Sequence, residues 1–465
     1  MLPYRLCNYL EVEVMKDKKI LIVGMGNSGK AAAQAMVKLG AEVYVQDSKT
    51  EGDMDPQLLA FLKEKKVTCY FGAVPEDMSV FDMLILSPGV SPDLGFIKEA
   101  EEKGAEIIGE LEIAYRTGHG KYVAITGTNG KTTTTTLVGE IYKAAGEKTY
   151  VVGNIGTAVI SKALSADDDS WLITECSSFQ LETIKEFRPQ VSAILNLTED
   201  HMDRHKTLEN YGKAKARIFM NQQEEQYCVV NYDDKRCLAL ADGCSAKVVP
   251  FSRLEELELG AFVKDGDIVI RNEGGSIVEI CGAQELKIPG LHNLENALAA
   301  CAIAYFGGVK PEVISEVLKS FSGVEHRIEL CNVIDGIKFV NDSKGTNPDA
   351  AIKAIEAMEK DIILIAGGYD KDASFDEFVA SFDGRVKALM LLGKTATKIK
   401  EAAENAGFTT STILKDMDAC VREAYRIAQP GDVVLLSPAC ASWDMYTSFE
   451  QRGRHFKDCV KALER

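Results

Sequence analysis

The run Ile125 to Thr136, ITGTNGKTTTTT, holds the residues best suited to chemistry. It lies between an apolar strand, Tyr122 to Ile125, and a helical segment ending near Ala145. A glycine-rich turn from strand into helix aims backbone N–H groups and the positive helix end at a phosphate. Lys131 and the Thr132 hydroxyl can then serve the phosphates and a Mg²⁺ ion. ATP or GTP binding is the chemistry this implies. The usual G-x-x-x-x-G-K-[ST] spacing would place glycine at 125, where isoleucine stands, and the first glycine is Gly127. A turn of this kind also arises for steric reasons alone.

Other reactive side chains follow strand ends. A strand from Trp171 to Thr174 runs into ECSSFQ (Glu175 to Gln180), and one from Val191 to Leu197 into TEDHMD (Thr198 to Asp203). Parallel strands delivering Thr132, Glu175, Asp200 and His201 to one sheet edge could build a metal-phosphate site. Each alone has a plainer reading, as a solvent-facing acid or an exposed polar histidine. Lys215, on a helix from Asn210 to Met220, reads by spacing as one more solvated lysine. Asn293 and Asn296 share a face of the helix opening LHNLENALAA (Leu291 to Ala300). They suit hydrogen bonding to a base edge, or merely capping and exposure.

The elements that must position these groups alternate strand and helix, which predicts α/β architecture with doubly wound parallel sheets. We expect three domains: a Rossmann-like domain over 1–109, a central P-loop ATPase-like α/β domain over 110–323, and a C-terminal Rossmann-like domain over 324–465. In the first, a strand from Lys19 to Val23 enters GMGNSG (Gly24 to Gly29), a helix runs from Lys30 to Leu39, and a strand from Glu42 to Gln46 ends at Asp47. This pattern fits NAD(P), another nucleotide-bearing ligand, or a ligand-free turn. The central domain continues through a more irregular, β-rich stretch from Tyr227 to Pro289. In the last, Lys338 to Val340, Ile362 to Ala366 and Val433 to Leu436 end in NDSKGT, GGYDK and SPACAS. These form a second ligand-facing edge.

Composition narrows the partners. Among 465 residues, 70 acidic against 53 basic leave a net charge of −17, which argues against a general nucleic-acid or anionic-membrane surface. The longest tempting apolar run, Ala297 to Val309, falls short of the roughly 18 to 20 residues of a membrane span and reads as a buried helix. The first residues lack the pattern of an export signal, so a cytoplasmic protein is expected. Twelve scattered cysteines without a C-x-x-C pair predict reduced, mostly buried thiols.

Taken in order, eleven motifs resemble the Mur ligases of bacterial cell-wall synthesis. They are VGMGNSG (23–29), Asp47-Ser48, SPG (87–89), TGTNGKT (126–132), GNIG (153–156), ECSSFQL (175–181), NLTEDHMD (196–203), HNLENA (292–297), His326-Arg327, NDSK (341–344) and SPACASWDMYTSFEQRG (437–453). The last block is similar to that of the D-glutamate-adding branch, and the D-N-P-R motif of the diaminopimelate- or lysine-adding branches does not occur.

The resemblance implies ATP-driven amide formation through an acyl phosphate, joining D-glutamate to UDP-N-acetylmuramoyl-L-alanine. It assigns the ATP phosphates to Gly127, Thr128, Asn129, Gly130, Lys131, Thr132 and Thr133, and the nucleoside side to Asn293, Asn296, Arg327 and Asp342. Thr132 and Glu175 would hold one Mg²⁺, and Glu175, His201 and Lys215, the last as a carbamate, a second, with Mn²⁺ able to substitute. Lys131, Glu175, His201 and Lys215 thus carry the catalytic role. Asn27, Ser28, Asp47, Ser48, Ser87 and Gly89 would meet uridine diphosphate, Asn154 the sugar peptide, and Lys344, Thr346, Lys371, Ser442 and Phe449 D-glutamate. Neither nucleic acid nor membrane is implied, and a monomer is expected.

Overall fold

The computed structural model describes residues 15–288, 290–358, 361–370 and 374–464. The chain divides between Phe321 and Ser322 into two compact units, the first holding two sheets and the second one. The first sheet comprises β1 (Lys19–Val23), β2 (Glu42–Asp47), β3 (Thr68–Phe71), β4 (Met83–Leu86) and β5 (Glu106–Gly109), in the order β3-β2-β1-β4-β5. All its pairings are parallel. β4 is buried throughout and β1 over four of its five residues, as expected of parallel strands covered on both faces. The strand order reverses between β1 and β4, so their carboxyl ends open the crevice where such sheets bind ligands.

The helix after β1 spans Asn27–Lys38, beginning three residues before the expected Lys30. Asn27 and Ser28 therefore belong to its first turn. Gly29 permits this early start, since a Cβ there would lie 1.9 Å from the Gly24 carbonyl oxygen.

The second sheet comprises β6 (Lys121–Thr126), β7 (Thr149–Gly153), β8 (Trp171–Glu175), β9 (Val191–Ile194), β10 (Tyr227–Asn231), β11 (Lys247–Ser252), β12 (Gly260–Lys264), β13 (Asp267–Arg271) and β14 (Ile277–Gly282). Its order is β14-β13-β12-β11-β10-β9-β6-β8-β7. Parallel pairing holds from β7 to β12, and β12, β13 and β14 pair antiparallel. The stretch expected to be irregular thus extends the same sheet. β9 stops at Ile194 rather than Leu197. The helix Leu291–Phe306 is buried continuously from Asn296 to Ala304 and packs on the helix Lys131–Ala144. Among the described residues, no helix is long and apolar enough to cross a membrane.

The second unit holds β15 (Glu329–Ile334), β16 (Ile337–Asn341), β17 (Ile362–Ala366), β18 (Val386–Leu391), β19 (Ser411–Ile413) and β20 (Val433–Leu436), ordered β15-β16-β20-β17-β18-β19. Only the edge strand β15 is antiparallel. β16, β20 and β17 are neighbours, so the segments after Asn341, Leu436 and Ala366 emerge side by side.

The eleven described cysteines are free, and most are buried. Cys69 is exposed, and Cys244 and Cys331 are half-buried.

Candidate active site

β6 ends at Thr126, the chain turns through Gly127 to Gly130, and a helix opens at Lys131. Gly130 has φ 81°, and a Cβ there would stand 2.2 Å from Asn296 Oδ1, so the turn can pass this close only as glycine. Asn196 Oδ1 accepts the N–H groups of Thr128 (3.1 Å) and Asn129 (2.8 Å). Lys131 Nζ donates to the carbonyls of Gly127 (2.9 Å) and Thr128 (2.8 Å). A cation and a helix N-terminus thus face one small volume, the arrangement that holds a phosphate.

β8 neighbours both β6 and β7, and Glu175 stands in register with Ile125 on one side and Gly153 on the other. Its buried carboxylate accepts the Thr132 hydroxyl at 2.9 Å and the Asn154 amide at 2.8 Å. The backbone N–H of Asn154 donates to the Glu175 carbonyl at 2.9 Å. One acid therefore ties the phosphate loop to the 153–156 loop. A threonine hydroxyl beside a carboxylate at a phosphate loop is an oxygen pair that fits Mg²⁺.

Lys215 departs from the sequence expectation. It is 1% exposed, on the buried face of the helix Leu208–Ala216, which ends four residues short of Met220. Its Nζ donates to the Gly127 carbonyl at 2.7 Å and lies 4.3 Å from the Tyr211 ring centroid. Burial, then the nearby Lys131 charge, lowers its pKa well below the usual lysine value.

His201 has φ 56° and precedes the short helix Met202–His205. Its ring meets Phe179 and Tyr211 at centroid distances of 4.9 Å and 6.4 Å, and its Nε2 is 3.7 Å from Asp200 Oδ2. Among the described residues, no group of three or more His, Cys, Asp or Glu is assembled to hold a metal. Of the residues expected at this edge, Thr132 and Glu175 are in direct hydrogen-bond contact, and Asp200 and His201 are neighbours of each other.

On the helix Leu291–Phe306, Asn296 donates to Asn293 Oδ1 at 3.2 Å and accepts the Thr134 hydroxyl at 3.3 Å. The two asparagines therefore do share a face, against the phosphate-loop helix.

In the first sheet, Asp47 accepts the N–H groups of Met25 (2.6 Å) and Lys49 (2.9 Å), and Ser87 Oγ donates to the Gly24 carbonyl at 2.6 Å. Asp47, Ser48 and Gly89 line a cavity of about 730 Å³ with Leu94 and Phe96. An adjoining cavity of about 400 Å³ shares Asp47 and Gly89 and is lined by Asn27, Ser28, Ser87 and Asn154. The fold thus gathers every residue assigned by resemblance to the UDP-sugar-peptide side.

In the second unit, the buried Asp342 accepts the Ser437 hydroxyl at 2.7 Å and the Ile328 N–H at 3.3 Å. Burial pushes its pKa up to about 7, opposed by the Ser437 bond and the Arg327 charge. Lys344 and Thr346 follow β16, and Ser442 lies buried after β20. Phe449 opens the last helix, and its carbonyl accepts the Ser343 hydroxyl at 2.8 Å. Lys371 lies outside the described residues.

Arg452 and Glu110 are among the buried charged groups that were not singled out from sequence. Arg452 donates to Ser343 Oγ (3.0 Å), the Ser343 carbonyl (2.9 Å) and the Cys440 carbonyl (3.0 Å). It stands inside the 437–453 motif, which was the available signal. Glu110 opens the helix Glu110–Thr117 at 2% exposure, and with a second acid, Glu112, in the same turn it reads by sequence as an ordinary helix-start acid.

Three α/β sheets, with a phosphate loop and an acid at adjoining strand ends, define a nucleotide-binding α/β protein. Family models match in three consecutive stretches: Mur ligase MurD-like, N-terminal domain over residues 18–109; Mur ligase middle domain over 125–304; and Mur ligase, glutamate ligase domain over 326–440. The chain belongs to the Mur ligase family. It is 51% identical over 454 residues to the UDP-N-acetylmuramoylalanine–D-glutamate ligase of Alkaliphilus oremlandii, covering 97% of this chain and 100% of that one. The protein of the same name from Clostridioides difficile is 49% identical over 451 residues, with 97% and 100% covered. The solved UDP-N-acetylmuramate-alanine ligase of Thermotoga maritima aligns with a TM-score of 0.54 at 19% identity, over 96% of this chain and 99% of that one, and shares the fold.

Proposed function

We propose that the protein is an ATP-dependent ligase that joins D-glutamate to UDP-N-acetylmuramoyl-L-alanine in peptidoglycan precursor synthesis. The observation that carries this reading is about half identity over the whole length of relatives bearing that name. The phosphate-loop geometry supports it. A carboxylate resists amine attack until one of its oxygens becomes a good leaving group. Transfer of the γ-phosphoryl group to the alanine carboxylate supplies that group and leaves ADP. The amine of D-glutamate then attacks the acyl carbon, and phosphate departs with its bridging oxygen.

Gly127 to Thr133 cradle the phosphates, and Lys131 offsets their charge as two anions are brought together. Thr132 and Glu175 would hold one Mg²⁺, and Glu175, His201 and a Lys215 carbamate a second, with Mn²⁺ as a substitute. When bound, such ions neutralise the γ-phosphate and the substrate carboxylate. The neutral amine that burial favours at Lys215 is the form that adds to carbon dioxide, and the product presents oxygens where an ammonium presents none. Asn293, Asn296, Arg327 and Asp342 serve the nucleoside. Asn27, Ser28, Asp47, Ser48, Ser87, Gly89 and Asn154 take the UDP-sugar peptide, and Lys344, Thr346, Lys371, Ser442 and Phe449 take D-glutamate. Domains spanning 1–109, 110–323 and 324–465, a monomer and a cytoplasmic location complete the proposal.

The test combines the purified protein with ATP, Mg²⁺, UDP-N-acetylmuramoyl-L-alanine and a panel of amino acids, with products read by mass. With ¹⁸O in the substrate carboxylate, one labelled oxygen should appear in released phosphate. Amide formed with unlabelled phosphate would refute the acyl-phosphate order, and no amide with D-glutamate would refute the assignment.

A further inference from the structure

Glu110 follows Gly109, the last residue of the first sheet, and is buried. Its Oε1 accepts the Ile160 N–H at 2.7 Å, and the Val159 N–H also bonds the carboxyl. Its Oε2 is buried without a partner. Val159 and Ile160 open the short helix Val159–Ala163, which begins three residues beyond Gly156. The 153–156 loop is therefore held at both ends. Glu175 fixes Asn154 at one, and Glu110 fixes the start of the helix at the other. Gly153, Asn154, Gly156 and Ala158 all line the 400 Å³ cavity beside Asn27 and Ser28. The helix Val159–Ala163 also packs on the helix Asn27–Lys38, which begins with those two residues.

A carboxyl buried this deeply is costly, and its pKa is pushed up to about 7 by burial, against the pull of the Ile160 and Val159 N–H groups. An apolar side chain would fill the space more cheaply, but it would leave those N–H groups at the end of a substrate-lining loop unmet. We propose that Glu110 is a positioning residue for the UDP-sugar-peptide substrate, holding the 153–158 segment so that Asn154 faces the bound molecule. This rests on the ligase reading above and extends it to a residue outside the motifs.

The test measures KM for each substrate in Glu110→Ala and Glu110→Gln, and calorimetric binding of UDP-N-acetylmuramoyl-L-alanine without ATP. Glu110→Ala should weaken binding and raise KM for that substrate about 10-fold, the scale of losing hydrogen bonds to a buried polar group, with ATP KM within about 2-fold. Glu110→Gln, whose amide oxygen still accepts, should restore most of the loss. Unchanged binding in Glu110→Ala, or equal losses for all substrates without glutamine rescue, would overturn the proposal. Should the alanine variant not fold, Glu110→Asp decides, since its shorter reach should raise the same KM selectively. Wild-type amide formation in the same assay reports on the ligase reading separately.

Discussion

Lys215 Nζ and the carbonyl oxygen of Gly127 lie 2.7 Å apart, so a buried lysine from a distant helix meets the first turn of the phosphate loop. A charged ammonium there would repel Lys131 and any divalent ion. Lys215→Ala should lower turnover by about 100-fold, as for loss of a group ordering a metal site. Acetate or propionate should restore part of it and ammonium none, and wild-type activity should fall in carbonate-free buffer. Full activity in the alanine variant would discard the role.

Gly130 and Asn296 form a second coupled pair. Gly130→Ala forces a side chain into a left-handed backbone, at about 1 to 2 kcal/mol, and drives its Cβ against Asn296 Oδ1. The variant should lose thermal stability and nucleotide-dependent turnover. Adding Asn296→Ala should remove the steric part only, so that this second change costs less stability in the Gly130→Ala background than in wild type. Strictly additive unfolding energies would show that the contact is not felt.

Glu110 sets a pH dependence of stability. Its folded pKa, about 7, exceeds the ordinary value of 4.5, so the folded state holds more protons between those values. The associated stability is fully present below about 4.5 and is lost as pH rises through about 7, by at most about 3 kcal/mol. Glu110→Gln cannot titrate and should gain on wild type in Tm between pH 5 and pH 8. Parallel Tm curves for the two proteins would mean that the carboxyl does not stay protonated on folding.

The strand-to-helix turns at Gly24 and Gly127 were legible because glycine spacing and apolar runs are local. The start of the helix at Asn27 was not, because it depends on Gly29 meeting the Gly24 carbonyl, a contact between segments. Lys215 shows the same limit more sharply. Helical spacing puts Tyr211 one turn before Lys215 on the same face, but it cannot tell a buried lysine from a solvated one when the group that receives it is the distant Gly127 carbonyl. Asn293 and Asn296 were placed correctly on one face by their separation of three. The tie from Glu175 to Asn154 needed the β6-β8-β7 order, which no single stretch of chain encodes.

Arg452 joins the two segments that bear the proposed acceptor residues. Its guanidinium, 2% exposed, bonds Ser343, the neighbour of Lys344, and Cys440, two residues before Ser442. These partners are carbonyl and hydroxyl oxygens, and no ion pair to Arg452 occurs among the described residues. Burial, opposed by Cys440, Asp444 and other nearby groups, lowers its pKa to about 10, which leaves it charged at neutral pH. Its N–H groups go to oxygens of the 343 and 440 segments, so the planar fork fixes both segments at once. Arg452→Lys keeps the charge and loses the fork, so at least one carbonyl is left unmet, at about 1 to 3 kcal/mol. D-glutamate KM should therefore rise about 10-fold or more, with KM for ATP and the UDP-sugar peptide nearly unchanged. Discrimination against L-glutamate should fall as well, because stereochemistry requires both carboxylates and the amine to be fixed together. Wild-type kinetics for D-glutamate in Arg452→Lys would show that charge alone, and not the geometry of the fork, prepares this end of the site.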